Sequence, residues 1–282
     1  MLKPFNIFAK AFIYFCLFSY SVNTIAAMSI GKIAIIIDDM GYNRHNQLFS
    51  KLPNTITFAI LPFTPYSQKM ANAAQQQNRE VLLHVPMQAQ SHNHLLGKGA
   101  LMQQMTKPHF QQILNQGLAD IPNAVGVNNH MGSKLTEEKT PMQWTMELLS
   151  KRGLLFIDSL TTAKSVAGNS AVAVGLPALT RHIFLDNVRT SVAMDKQFQQ
   201  AIQHSLKNPY TILIAHPYPE TLQYLSQRLG APNKDFQLVK LSQLIPEKQR
   251  TILENKKRQY QREKQAQQYK LLYPMTNFEK IQ

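Results

Sequence analysis

The sequence has one cysteine, Cys16, among its 282 residues. Everything after it is therefore unable to form an internal disulfide or a thiolate zinc site. Acids are also scarce, with 16 Asp and Glu against 30 Lys and Arg. There is no internal repeat, and no low-complexity linker before the C-terminal tail. The apolar run Ala11–Val22 is about 12 residues long, short of the roughly 20 needed to span a bilayer.

That run carries a signal of its own. Lys3 and Lys10 supply positive charge, and Thr24-Ile25-Ala26-Ala27 offers small residues for cleavage. Residues 1–27 thus read as a signal peptide, with an uncleaved membrane anchor as the alternative. Both readings export the rest of the chain, to the periplasm or beyond. Phe15 is too bulky to precede a lipid-modified Cys16, so lipid attachment is rejected. The formal charge is +14; Lys3 and Lys10 leave with the signal, giving about +12 for the remainder. Much of the excess sits in the tail 247–282, where nine Lys or Arg face four acids. Outside the cytoplasm such a balance suits anionic envelope polymers or a membrane surface rather than nucleic acid.

Hydrophobic residues make up 44% of the chain, enough for a real core. Short apolar runs alternate with amphipathic stretches. Lys32–Ile37 is β-branched and apolar on both faces, as a buried strand should be. Further strands are expected at Thr55–Leu61, Glu80–His84, Val125–Asn128, Leu154–Ile157, Ala171–Val174, Ile183–Leu185, Thr211–Ala215 and Phe236–Lys240. Helices are expected at Tyr66–Asn78, Lys107–Ala119, Pro141–Arg152, Val192–Leu206 and Thr221–Leu229. Strands alternating with helices imply a mostly parallel sheet, which could close into a barrel. Residues 28–246 would form this α/β domain, and 247–282 a basic tail, either an exposed helix or disordered.

Unusual polar residues fall at the C-terminal ends of the apolar strands. Asp38 and Asp39 end the first, His84 the third, and Asn128, Asn129 and His130 the fourth; Asp158 and Ser159 follow Leu154–Ile157, and His216 follows Thr211–Ala215. In α/β barrels and open sheets these ends share one rim, where ligands bind. Each residue also has a plainer reading. The Asp pair suits a turn before Gly41, Asp158 an N-cap, and the Asn pair a tight turn. His92, His94, His109 and His204 lie in polar stretches and read as solvated; His45 and His182 are undecided. Asp and His around an open position suit Zn²⁺ or another divalent cation, with a second Asp as base and a His as acid.

The segments Ile33–Asn43, Leu82–Met87, Val125–Ser133, Leu155–Thr161, Arg181–Asn187 and Ile214–Leu222 resemble, in order, the divergent polysaccharide deacetylases. The resemblance implies a distorted (β/α)7-type barrel, the NodB-like fold, acting on an acetylated carbohydrate polymer. It matches Asp38 to the catalytic base, Asp39 and His84 to metal ligands, and His216 to the general acid. The wider superfamily has a second His four residues after the first, where this chain has Gln88. His130 is nominated in its place. Arg181 is the candidate for orienting the base, and Asp158 for a ligand or an orienting carboxylate. Asn128 and Asn129 are candidates for binding acetamido groups. The alternative is a barrel that binds glycan without cleaving it.

Overall fold

The protein is described from a computed structural model covering residues 30–230 and 234–272. The expected signal peptide lies outside these residues. In chain order the elements are β1 (Gly31–Met40), β2 (Thr57–Ile60), α1 (Ser67–Gln76), β3 (Val81–Met87), α2 (Lys107–Asp120), β4 (Gly126–Met131), α3 (Lys139–Arg152), β5 (Leu155–Asp158), α4 (Ala167–Ala173), β6 (Leu179–Thr180), β7 (Ile183–Phe184), α5 (Ser191–Lys207), β8 (Thr211–Ala215), α6 (Pro219–Leu229), β9 (Phe236–Leu238) and α7 (Glu247–Leu272).

All named strands pair in parallel, in the order β6-β5-β4-β3-β2-β1-β8-β7, with β9 beside the start of β1. Only Arg181 and His182 separate β6 from β7, which lie at opposite ends of this path. The Arg181 N–H donates to Asp158 O, and the His182 N–H to Ile212 O, each at 2.9 Å. One short segment thus spans the gap between β5 and β8, and the curled sheet becomes a distorted (β/α)7-type barrel. Ile33, Ile35, Ile36 and Ile37 of β1 are wholly inaccessible, as they must be on a strand with the interior on one face and helices on the other.

The expected strand Ala171–Val174 is instead the end of α4. Four alternating residues are too few for a strand period to be distinctive. Ala167 and Ala171, one helical turn apart, are buried while Val172 is exposed, and that is a helix pattern. The next strand, β6, begins at Leu179. His204 is half-buried rather than solvated: its Nδ1 pairs with Thr211 Oγ1 at 2.9 Å, and its ring lies 4.5 Å from that of His182.

From 247 the tail forms α7, whose first half lies on α3. Leu253 is buried, Lys256 Nζ donates to Ser150 Oγ at 2.7 Å, and the Arg152 guanidinium sits 4.7 Å above the Tyr260 ring. The contact needs Gly153, which ends α3 at φ 66°; a Cβ there would meet Leu253 O and Lys257 N. Residues 261–272 are exposed throughout. Among the described residues no helix is long and apolar enough to cross a membrane.

Candidate functional site

The site begins with an irregularity in β1. Its pairing with β2 runs Ile36↔Thr57 and Ile37↔Phe58, then Met40↔Ile60. Three residues of β1 advance against two of β2, which is a β-bulge. Asp39 occupies the left-handed region at φ 54°, where Asp is among the few side chains tolerated. In a regular strand neighbouring side chains point to opposite faces. Here both carboxylates reach His84 Nε2: Asp39 Oδ1 at 3.1 Å and Asp38 Oδ2 at 3.8 Å.

His84 and His130 come from adjacent strands. In the β3–β4 register His84 stands opposite Asn128, and Pro86 opposite His130. Alternate residues share a face, so His84, Asn128 and His130 all point the same way, with His130 one pleat nearer the rim. His130 Nδ1 lies 2.8 Å from the Asp39 Oδ1 that His84 also approaches, and the two rings meet edge to face at 5.0 Å. One ligand atom from each of Asp39, His84 and His130 falls within 4.8 Å of the others. A carboxylate and two imidazoles aimed at one point form a suitable set for a divalent cation, and three protein ligands leave a position open. Gln88 takes no part. Its side chain accepts the Gln103 N–H at 2.8 Å and so faces the loop after β3.

Behind the triad, Asn128 is fully buried. Its Oδ1 lies 2.9 Å from His84 Nδ1, and its Nδ2 donates to Asp38 Oδ1 at 2.8 Å and to Ser159 Oγ at 3.3 Å. Asn129, also buried, accepts the Ser159 N–H at 2.8 Å and donates to Met131 O at 2.7 Å. Both amides thus hydrogen-bond within the protein through their oxygen and their nitrogen. Asn129 ties the end of β4 to the loop after β5.

Asp158 is likewise turned away from the triad. Its oxygens accept from Leu160 N at 2.8 Å and Ser165 Oγ at 2.7 Å, which makes it a loop-stabilising carboxylate rather than a ligand. Arg181 donates to the carbonyls of Ser159 at 2.7 Å and Leu160 at 2.8 Å, and lies 3.8 Å over the Phe184 ring. It forms no hydrogen bond to Asp38 and does not orient the base directly. Together Asp158 and Arg181 hold Leu160 at φ 47°, a conformation strained for Leu.

His216 follows β8, whose last pair with β1 is Ala215↔Ile37, so it continues alongside Asp38. Its ring is flanked by Phe184 and Tyr218, each with its centroid 5.8 Å away. Its partner is Asp186, a buried residue absent from the expected site. Asp186 follows the strand Ile183–Leu185 just as the other acids follow theirs, so the same strand-end pattern would have flagged it.

Burial raises the Asp38 carboxyl above its usual range, against the pull of His84 and His216. Burial acts the same way on Asp39, but hydrogen bonds from His130 and His84 outweigh it and hold Asp39 well below the carboxylate range. The His84 imidazole is raised despite its burial, because Asp38 and Asp39 favour its cationic form. A cation between these groups would replace that proton as the compensating positive charge.

Residues 35–245 match the divergent polysaccharide deacetylase family. The chain belongs to this family. All the residues of the triad, with Asp38, Asp186 and His216, fall inside the matched span, and α7 falls outside it. Among family relatives, YibQ of Escherichia coli strain K12 is 37% identical over 220 residues, covering 78% of this chain and 69% of YibQ. A Haemophilus influenzae protein (strain KW20 Rd) is 35% identical over 231 residues, 82% of each chain. The crystal structure of ATU2773 from Agrobacterium tumefaciens C58 superposes with a TM-score of 0.72 at 22% identity, covering 77% of this chain and 89% of that one. That likeness is one of fold.

Proposed function

We propose that this family member is a metal-dependent hydrolase that removes acetyl groups from an envelope carbohydrate. The observation that carries the reading is the convergence of Asp39, His84 and His130 on one point, beside Asp38 and near His216. A divalent cation such as Zn²⁺, held by those three residues, would polarise the acetyl carbonyl and acidify a water.

The chain's own residues supply the proton transfers. Asp38, with its carboxyl raised by burial, accepts the proton of the attacking water. His216, kept protonated by Asp186, gives a proton to the departing sugar nitrogen or oxygen. The products are acetate and a free amine or hydroxyl on the sugar. Export, and contact between the basic α7 and anionic envelope material, belong to the same proposal; α7 leaves residues 261–272 exposed for it.

The test is release of acetate from acetylated oligosaccharides by purified protein supplied with Zn²⁺. Activity lost in Asp38→Asn supports the reading. Tight glycan binding with no acetate released from any acetylated oligosaccharide would replace the enzyme with a binding protein.

A further inference from the structure

Asn128 touches both halves of the site and neither end of it is free. Its amide nitrogen has two hydrogens, directed at Asp38 Oδ1 and Ser159 Oγ. That leaves Oδ1 facing His84 Nδ1 at 2.9 Å. An amide oxygen only accepts, so His84 Nδ1 is the donor. The other ring nitrogen, Nε2, is thereby the atom presented to Asp39 and to the point shared with His130. One planar group thus sets the ring orientation of His84 with one end and the carboxylate orientation of Asp38 with the other.

We propose that Asn128 is the positioning residue of this site, aligning His84 as a cation ligand and Asp38 as a base. The part concerning Asp38 rests on the deacetylase reading above; the part concerning His84 does not. The role is one the resemblance assigns to an arginine, yet Arg181 spends its hydrogen bonds on the carbonyls of Ser159 and Leu160. Asn128 is fully buried on β4, between β3, which carries His84, and β5, which Ser159 follows, a place from which no long cationic side chain is needed. A partner that orients a ligating His is worth ~10–100-fold in metal affinity.

Two substitutions in the full chain separate the two ends. Asn128→Leu removes the hydrogen bonds to His84, Asp38 and Ser159 alike; Zn²⁺ affinity, read by calorimetry with the metal alone, falls ~10–100-fold and kcat falls with it. Asn128→Asp keeps an acceptor for His84 but has no hydrogen to donate to Asp38. Its Zn²⁺ affinity stays at or above that of the parent, while kcat for acetate release falls ~10-fold or more at unchanged KM. A merely structural role would lower thermal stability in both variants without that split. If Asn128→Leu does not fold, Asn128→Ala is read in its place, with the same loss of affinity expected. Parent-like Zn²⁺ affinity in the folded Leu or Ala variant overturns the proposal, as does an Asn128→Asp variant that binds metal as weakly as Asn128→Leu. If the parent binds Zn²⁺ but releases no acetate, the deacetylase reading fails and the alignment of His84 is still decided by the affinities.

Discussion

His216 Nδ1 stands 2.8 Å from Asp186 Oδ1, and the other oxygen of that buried carboxylate accepts the His216 backbone N–H and the Thr221 hydroxyl, each at 2.7 Å. Burial alone would lower the imidazole pKa. Asp186, with the charges of Asp39 and Asp38 adding to it, outweighs burial and raises the value from 6.5 to about 9. NMR titration of the metal-free protein should find the His216 ring protonated at neutral pH, and Asp186→Asn should bring its midpoint below that of the parent. Because the folded value is the raised one, the pair's contribution to stability is full below about pH 6.5 and is lost as pH rises through about 9. A parent ring that is neutral at pH 7 would contradict this.

Restoring the missing histidine should not help. The Gln88 side chain is engaged by the Gln103 N–H of the loop after β3. Gln88→His is therefore expected to leave Zn²⁺ affinity unchanged within about twofold, whereas His130→Ala should weaken it by a factor of ~100 or more. Tighter binding by Gln88→His would show that the loop can swing its side chain to the metal.

Arg79 is 4% exposed and holds a corner of the barrel. It donates to the carbonyls of Pro53, Ile56 and Leu52 at 2.8 Å and of Ser50 at 3.3 Å, with its guanidinium 4.3 Å over Phe58. Lysine cannot serve that fan of acceptors. Arg79→Lys is expected to cost about 2–4 kcal/mol in denaturant unfolding, since several buried carbonyls lose their donors. A loss of less than about half a kcal/mol, the size of a neutral surface change, would mean that Arg79 does not hold this corner.

Gly153 couples α3 to α7. A side chain there pays the left-handed strain of about 1–2 kcal/mol and also strikes the α7 backbone. Gly153→Ala should lower the melting temperature and expose α7 to proteolysis ahead of the barrel. Unchanged cleavage of α7 would mean that the helix is not held by this contact.

How much of this was legible in the sequence depended on the range of the forces involved. Ile33–Ile37 and Thr211–Ala215 could be read as strands because burial on both faces leaves a local, unbroken apolar signature. The resemblance supplied the barrel and named Asp38, Asp39, His84 and His216. The bulge that brings Asp38 and Asp39 to the same side has no local mark beyond two consecutive acids, because it is defined by pairing with β2, remote in sequence. The commitments of Asp158, Asn129 and Arg181 to the loop after β5 are equally non-local. A carboxylate at a strand end looks the same in sequence whether it faces the cleft or its own loop. Ala171–Val174 shows the complementary failure, a local pattern too short to choose between two periods.

If the proposed site is right, Asp39, His84 and His130 jointly hold one cation. A crystal structure of Zn²⁺-loaded protein, with the metal located by anomalous scattering, decides this. One ion should be bound by an Asp39 oxygen, His84 Nε2 and His130 Nδ1 at about 2.0–2.2 Å, with Asn128 still bridging His84 and Asp38. An ion bound elsewhere, or one that leaves His130 outside bonding distance, would contradict it.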